Sequence, residues 1–245
     1  MAWDRYGNRV YRLLTGSGGL DCYRVTAGES DLFICTEGDL REAALQSLLK
    51  HRASLESYIS SHPGFSSSFR PLPAVTGSAS LVQDMAEAAR IFNVGPMAAV
   101  AGAISQYVGT DLLVYSSQVI VENGGDIFSA GGVGREVRVL TGAKPDFIDI
   151  AINDTCEGIG LCTSSATVGP SISLGGADAV TVLAETATLA DAAATAIGNM
   201  VRTESDIEAA LEHASGFDCI KGVMVVIGGA VGVWGEVELI GGHPV

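Results

Sequence analysis

"ADAAATAIGN", residues 190–199, is built almost entirely from alanine, the residue with the highest intrinsic helix propensity. Asp191 and Thr195 are four residues apart, so a helix places the carboxylate and the hydroxyl on one face. Oxygen ligands of this kind suit a hard cation such as Mg²⁺. A structural explanation is also open, because a Thr hydroxyl often bonds to the carbonyl four residues earlier and an Asp favours a helix start. Taken alone, the segment favours the structural explanation.

The composition restricts the class of protein and of partner. The chain has 245 residues, of which 47% are hydrophobic and 17% are charged, which predicts a globular protein with a large core. Its net charge of −14, from 14 basic and 28 acidic residues, argues against nucleic acid or an anionic membrane as a partner. An anionic ligand would therefore need positive potential from a metal, from helix N-termini or from backbone N–H groups.

Several features predict a cytoplasmic protein. The polar start "MAWDRYGNRV" does not fit a secretory signal, and the most apolar stretches, 97–104 and 223–234, are shorter than the roughly 18–20 residues that cross a bilayer. Five cysteines without paired spacing suggest reduced thiols rather than a disulfide framework. No CxxC or HExxH motif supports zinc. The thinly charged, apolar composition makes a homo-oligomer reasonable.

The order of the predicted elements indicates an α+β fold. Short β-rich runs lead to a helix that Asp39 is predicted to cap and that "HPG" at 62–64 ends. The polar, proline-bearing stretch 65–80 reads as a linker, and further helices are predicted at about 80–92, 96–107, 188–199 and 203–214. Strand groups flank helix pairs twice, which predicts one domain over 1–245 with an internal duplication, its halves at about 1–125 and 126–245.

Two other stretches are candidates for ligand binding. "VIVENGGDIF", residues 119–128, reads as two strands joined by a turn, but its glycines would also let the backbone lie against a flat ring or a phosphate. "GLCTSSATVGPSISLGG", residues 160–176, is either a solvated surface loop or a loop that binds phosphate oxygens through hydroxyl and N–H groups. Cys162 beside it has no histidine near it in the sequence and reads as a small core residue rather than a nucleophile.

The three stretches together resemble, in order and wording, the ApbE family, the FAD:protein FMN transferases. The similarity is greatest to a small ApbE-like branch without a secretion signal, marked by "VGPMAAVAGAI", "VIVENGGDI", "CTSSATVG" and "ADAVTV…LADAAATAIGN", and it covers most of residues 30–200. The resemblance implies a T-fold-like architecture, in which antiparallel sheets are backed by paired helices and the elements are duplicated within one chain. It also implies a site for FAD and magnesium.

The resemblance also implies which residues form this site. The family's metal-binding motif Asp-x-x-x-Thr corresponds to Asp191 and Thr195, and a backbone carbonyl from the small-residue helix corresponds to Val100. Mg²⁺ would neutralise the FAD pyrophosphate and polarise it for attack. The candidate flavin-binding residues are Asn123, Gly124, Gly125, Asp126, Thr163, Ser164 and Ser165.

Two departures from the family pattern weaken the case for flavin transfer. Ala101 stands where the family's small-residue helix normally has a lysine, and "TVGPSISLGG" holds no histidine, with Pro170 near its usual position. That histidine is a candidate base for the acceptor threonine, and general-base catalysis typically contributes roughly 10²–10⁴ in rate.

Two functions are therefore expected as alternatives, beside a third possibility, a degenerate scaffold whose small-residue helices only pack. The first is Mg²⁺-dependent cleavage of FAD, with FMN passed to a Thr or Ser of an acceptor protein or to water. The second is an accessory protein that binds flavin or nucleotide without transfer. For this second function, the resemblance suggests a part in sulfur incorporation into homocysteine, in which Cys162 would be worth testing.

Overall fold

The computed structural model describes residues 19–142, 146–165 and 175–241. Alternating apolar residues form its strands and small-residue or amphipathic segments form its helices. The strands are β1 (Asp21–Ala27), β2 (Ser30–Thr36), β3 (Val119–Asn123), β4 (Asp126–Ala130), β5 (Gly134–Leu140), β6 (Phe147–Asn153), β7 (Ile159–Ser164), β8 (Ala179–Ala184), β9 (Ile220–Ile227), β10 (Ala230–Gly235) and β11 (Glu238–Gly241). The α-helices are α1 (Arg41–Ser61), α2 (Gly64–Ser67), α3 (Ser80–Phe92), α4 (Val100–Leu112), α5 (Ala187–Met200) and α6 (Ile207–Ser215), with 3₁₀ turns at Pro96–Ala99 and Glu204–Asp206.

The elements form three layers. An eight-stranded sheet in the order β1-β2-β3-β4-β7-β8-β9-β10, antiparallel throughout, separates the helices from a three-stranded sheet in the order β11-β6-β5. Because side chains alternate along a strand, each face of the large sheet has its own core. Phe128 and Cys162 belong to the helix-side core, whereas Ile127 and Leu161 pack towards the small sheet.

The predicted α+β class is confirmed. A hairpin, a group of helices and a second hairpin follow one another twice along the chain, with β5 and β6 between the two series. The predicted division at 125/126 falls in the turn between β3 and β4. A duplication at the level of the sequence stays a prediction.

Two local predictions were wrong. Asp39 does not cap α1, since the N-cap position is Leu40, although Asp39 Oδ1 does accept the Arg41 N–H at 2.9 Å. The stretch 65–80 is not a domain linker, because Phe65 is buried in the helix-side core within the short helix α2.

The prediction of reduced thiols was also wrong for two cysteines. Cys22 and Cys35 are opposite each other on β1 and β2 and form a disulfide, with Cα atoms 4.2 Å apart. Cys156, Cys162 and Cys219 are free thiols.

Among the described residues, no single helix is long and apolar enough to cross a bilayer. The segments Ser80–Phe92 and Pro96–Leu112 together have the length and apolar composition of a membrane span, but they are bent by 107° relative to each other.

Two glycines allow the first turn of α5 to lie directly on its neighbours. A Cβ at Gly102 of α4 would overlap the carbonyl oxygen of Ala187, and a Cβ at Gly160 of β7 would overlap the Ala187 backbone. Since backbone atoms cannot rotate away as a side-chain end can, any larger residue would force α5 off the sheet. The depth at which α5 lies therefore depends on these two positions.

We predict that Gly160→Ala lowers the free energy of unfolding by about 3 kcal/mol, the upper end of the usual overpacking cost. Chemical denaturation followed by circular dichroism measures the loss. Gly64→Ala is the matched control, because its new methyl group would meet only Leu72 at an ordinary 3.9 Å. Equal stability of the two variants would contradict the close packing of α5 on β7.

Candidate functional site

Asp191 lies one turn into α5, and its carboxylate faces the first turn of α4. Its Oδ2 accepts the Gly102 N–H at 2.9 Å, and the Ala101 N–H also bonds to this carboxylate. The N-cap residue of α4, Ala99, supplies no side-chain hydrogen bond, so Asp191 satisfies donors that the helix itself leaves open. Its negative charge also lies at the positive end of the α4 dipole. Asp191 is therefore the cap of another helix, not of its own.

The start of α5 is capped in return by α4. Gln106 Oε1 accepts both the Thr188 N–H, at 3.1 Å, and the Thr188 hydroxyl, at 2.9 Å. Thr186 adds a cap from within α5, because its hydroxyl accepts the Leu189 N–H at 3.2 Å. The two helices thus exchange caps at their N-terminal turns, which fixes Asp191 relative to α4.

Thr195 follows Asp191 by one helical turn, as the sequence predicted, and it is half-buried. In the described structure, its hydroxyl makes no hydrogen bond back to the Asp191 carbonyl, in contrast to Ser54, Ser60 and Ser61, which do bond back within α1. The bond that a purely structural explanation of Thr195 would use is not formed.

Val100 is the first residue of α4, but its carbonyl does not face Asp191. The N–H of the same peptide, that of Ala101, bonds to the Asp191 carboxylate. Because the C=O and N–H of a planar trans peptide point in opposite directions, the Val100 carbonyl is directed away from it. The structure thus brings Val100 next to Asp191 through the N–H side of the peptide.

A row of three polar side chains crosses the sheet beneath this helix pair; we call Asn123, Asp126 and Cys162 the polar row. Asn123 is opposite Asp126 in the β3–β4 hairpin, and the β4–β7 register continues the row to Cys162. On either side, the row ends in buried apolar residues, Leu32 opposite Asn123 and Val182 opposite Cys162. Polar groups in the middle of an apolar row cost free energy unless they have partners, which points to a role at this place.

The electrostatics of the two carboxyls are unusual. Burial raises the pKa of Asp126 well above its ordinary value, and the charges of Asp191 and Glu122 raise it further, whereas contact with the Cys162 thiol and a hydrogen bond from the Thr163 N–H lower it. Burial raises the pKa of Asp191 from 3.8 to about 7, against the bonds from Gly102 and Ala101.

Neither carboxyl has a cationic partner among the described residues. Within the part of the chain that the structure describes, no Lys or Arg side chain forms an ion pair with Asp126 or Asp191. The buried Asp154, in contrast, is paired with Arg135 at 3.1 Å. Within the described ranges, the buried Asp126 and the half-buried Asp191 thus lie close together without a basic side chain paired to either.

Cys162 is fully buried beneath the first turn of α5. Its thiol donates to the Ala187 carbonyl at 3.4 Å. Burial raises the pKa of the thiol well above its ordinary value, and Asp126 and Asp191 raise it further. The thiol is therefore protonated and shielded, which agrees with the core role that the sequence favoured.

The glycine turn is a hairpin turn, with φ of 72° at Gly124 and 113° at Gly125. A Cβ at either glycine would meet nothing within 4 Å, so the outer side of the turn is open. The Gly125 N–H donates to Glu122 Oε1 at 2.8 Å. Asn123 points inwards, because its Nδ2 donates to the Ala101 carbonyl at 3.2 Å.

The hydroxyls of the Ser-rich stretch divide between the two faces of the sheet. Ser164 and Ser165 are buried, and Ser164 shares the helix-side face of Cys162 because it is two residues further along β7. The Thr163 hydroxyl lies on the opposite face, 2.9 Å from the Thr181 hydroxyl. The rest of the loop, residues 166–174 with Pro170, lies outside the described residues.

The structure therefore brings together Asp191, Asp126 and Asn123, places Thr195 one helical turn after Asp191, and separates the Thr163 hydroxyl from them. It also adds Gln106, which sequence reasoning missed; its place four residues after Gly102, on the same face of α4, was the available signal. Among the described residues there is no group of three or more His, Cys, Asp or Glu side chains arranged to hold a metal. A cation here would need hydroxyl, backbone or ligand oxygens as well.

We predict that Asp191→Asn stabilises the protein in EDTA at neutral pH. With its pKa raised, folded Asp191 keeps a proton that the unfolded chain loses, so its contribution to stability falls as pH rises from about 4 to about 7. The asparagine removes this loss and still offers an oxygen to the Gly102 N–H, so the difference from wild type should grow to about 1–4 kcal/mol by pH 7.5.

Urea unfolding at pH 4.5, 6 and 7.5 measures this difference. Asp218→Asn is the control, because Asp218 is exposed and the same change there should have no comparable effect. An Asp191→Asn variant less stable than wild type at pH 7.5 would show that the folded state does not raise the pKa of Asp191.

Comparison with known proteins supports the fold. The family model described as "AbpE bacteria" matches residues 13–232. The UPF0280 protein of Methanopyrus kandleri is 39% identical over 234 residues, covering 90% of this chain and 94% of that protein. The UPF0280 protein of Methanocaldococcus jannaschii is 41% identical over 201 residues, covering 79% of this chain and 82% of that protein.

Solved structures of ApbE proteins have the same fold. An ApbE protein from Thermotoga maritima superposes with a TM-score of 0.62 at 14% identity, covering 87% of this chain and 96% of that chain. The flavin transferase ApbE from Vibrio cholerae gives 0.61 at 11% identity, covering 88% and 96%. From the family match over most of its length and these relatives, the chain belongs to the AbpE bacteria family and has an ApbE-like α+β fold.

Proposed function

We propose that this protein binds FAD together with Mg²⁺ and cleaves the FAD pyrophosphate, so that FMN passes to a hydroxyl of a protein or to water and AMP is released. The observation that carries the proposal is the pair of carboxyls with raised pKa values, the buried Asp126 and the half-buried Asp191, which have no basic partner among the described residues. A divalent cation would relieve the repulsion between them, and it would attract an anionic ligand to a chain of net charge −14.

The donor set fits a hard cation in part. Asp191 and Thr195 offer a carboxylate and a hydroxyl on one face of α5, and pyrophosphate oxygens of the ligand would supply further positions. Ligation by the Val100 carbonyl, which the family resemblance implies, would require the first peptide of α4 to turn, because its N–H now faces Asp191. When bound, Mg²⁺ supplies charge neutralisation and polarisation of the phosphoryl group.

The chain's own residues would bind and orient the ligand. The open outer side of Gly124 and Gly125 lets a flat ring approach the backbone. Ser164 and Ser165 are at the end of β7, on the strand next to Asp126. The solved neighbours from Vibrio cholerae and Pseudomonas stutzeri are titled flavin transferases, and this likeness in fold supports a flavin ligand here. A cytoplasmic location and self-association are proposed from the sequence alone.

A non-transferring accessory protein is the second candidate. It is favoured by the absence of histidine from the sequence of the Ser-rich loop, which removes the expected base for attack on FAD. A part in sulfur incorporation through Cys162 is less favoured, because the thiol is buried and its pKa is raised.

We predict that Cys162 resists alkylation in the native protein. Iodoacetamide reacts with an accessible thiolate. Burial of Cys162 both blocks the reagent and raises the pKa of the thiol, so that little thiolate forms. Peptide mass spectrometry after timed labelling should find Cys156, which is exposed, modified roughly 100 times faster than Cys162, with equal rates in urea. Fast native labelling of Cys162 would restore it as a reactive thiol and favour the sulfur alternative.

We predict tight, Mg²⁺-dependent binding of FAD by wild type. Calorimetric titration with FAD in excess Mg²⁺ and in EDTA measures it, and chromatography of the same samples detects AMP. Asp191→Asn should weaken binding at least roughly 10–100-fold, since even residues that only support metal ligands cost that much. Asp218→Asn should bind as wild type does.

The outcomes separate the two candidates. Binding with AMP release supports the enzyme, and binding without AMP supports the accessory protein. If wild type takes up no FAD under any of these conditions, the flavin proposal is wrong.

A further inference from the structure

We propose that Asn123 is a positioning residue: its side chain holds the first turn of α4 in place for the cation site, and it is not a flavin contact. The inference rests on the proposed function. It replaces the role that sequence resemblance gives this residue, and it follows from where the amide group points.

The Asn123 amide reaches from the end of β3 to the start of α4. Its Nδ2 donates to the Ala101 carbonyl at 3.2 Å. The N–H of the same peptide, that of Gly102, donates to Asp191 Oδ2 at 2.9 Å. One peptide group is therefore held at both ends, by Asn123 on the sheet and by Asp191 on α5.

This peptide has no side chain of its own helix to hold it. The N-cap of α4 provides no side-chain hydrogen bond, and the preceding turn Pro96–Ala99 consists of apolar residues. Gly102 can also approach Ala187 so closely only because it lacks a Cβ. Without Asn123, the carbonyl end of the peptide loses its tie to the sheet, and the N–H groups that face Asp191 are free to shift.

The consequence concerns geometry rather than charge. The Asp191 carboxylate is oriented by the two N–H groups that it accepts, and those N–H groups belong to the turn that Asn123 fixes. A cation bound by Asp191 and Thr195 senses the direction of the carboxylate, so loosening this turn weakens cation binding without removing a ligand.

The test compares Asn123→Ala with Ser116→Ala. Ser116 is buried at the other end of β3, where its hydroxyl accepts the Glu37 N–H at 3.0 Å and donates to the Gln118 carbonyl. Both variants lose side-chain hydrogen bonds to the backbone around the same strand. We expect each to lower the unfolding temperature in EDTA by about 2–4 °C.

Only Asn123→Ala should affect the cation. Titration with Mg²⁺ in the presence of FAD should show affinity about tenfold weaker for Asn123→Ala and within about twofold of wild type for Ser116→Ala. Equal weakening in both variants, or none in Asn123→Ala, would overturn the positioning role, since a merely structural residue affects both readouts together.

A second readout does not need a bound ligand. Amide hydrogen exchange, measured by NMR in EDTA, should speed up at Ala101 and Gly102 in Asn123→Ala by at least about tenfold beyond any global change, and it should not do so in Ser116→Ala. Unchanged exchange at these amides would overturn the inference. If wild type binds neither Mg²⁺ nor FAD while exchange changes as expected, the proposed function has failed and the tie between Asn123 and α4 stands.

Discussion

The contact of the first turn of α5 with Gly102 and Gly160 is the constraint on which the rest of the structure depends. Ala187 can lie between α4 and β7 only because the residues that it contacts on them, Gly102 and Gly160, have no side chain. This depth places Cys162 against the Ala187 carbonyl and lets Asp191 reach the N–H groups of α4. The alanines of α5 therefore allow close packing, because larger residues would hold the Asp191 carboxylate away from the first turn of α4.

The same closeness gives the site its electrostatic character. A carboxylate in water has little reason to keep its proton at neutral pH, but burial between two helices and a sheet removes the solvent that stabilises its charge. Two N–H groups offset part of this cost for Asp191, and the Thr163 N–H offsets part of it for Asp126. The closeness of two like charges costs free energy, and the proposed cation would offset this cost.

The sequence predicted what depends on local pattern. The helix at Ser80–Phe92, the end of α1 at Ser61, the hairpin at Gly124 and Gly125, and the shared face of Asp191 and Thr195 all follow from periodicity and turn chemistry. The opposite face of Thr163 was also within reach, because it directly follows the core residue Cys162 on a strand. Resemblance between whole motifs, rather than any single one, indicated the family.

What the sequence could not predict depends on contacts between distant segments. The Asp191–Gly102 and Gln106–Thr188 bonds join residues 89 and 82 positions apart. The Cys22–Cys35 disulfide depended on a hairpin register that the spacing alone did not specify. The exchange of caps also constrains the order of folding. During synthesis, α4 is complete before Asp191, which accepts the N–H of Gly102 in its first turn, has been made. The N-terminal end of α4 must therefore wait for α5, and this part of the protein folds late, after most of the chain has been synthesised.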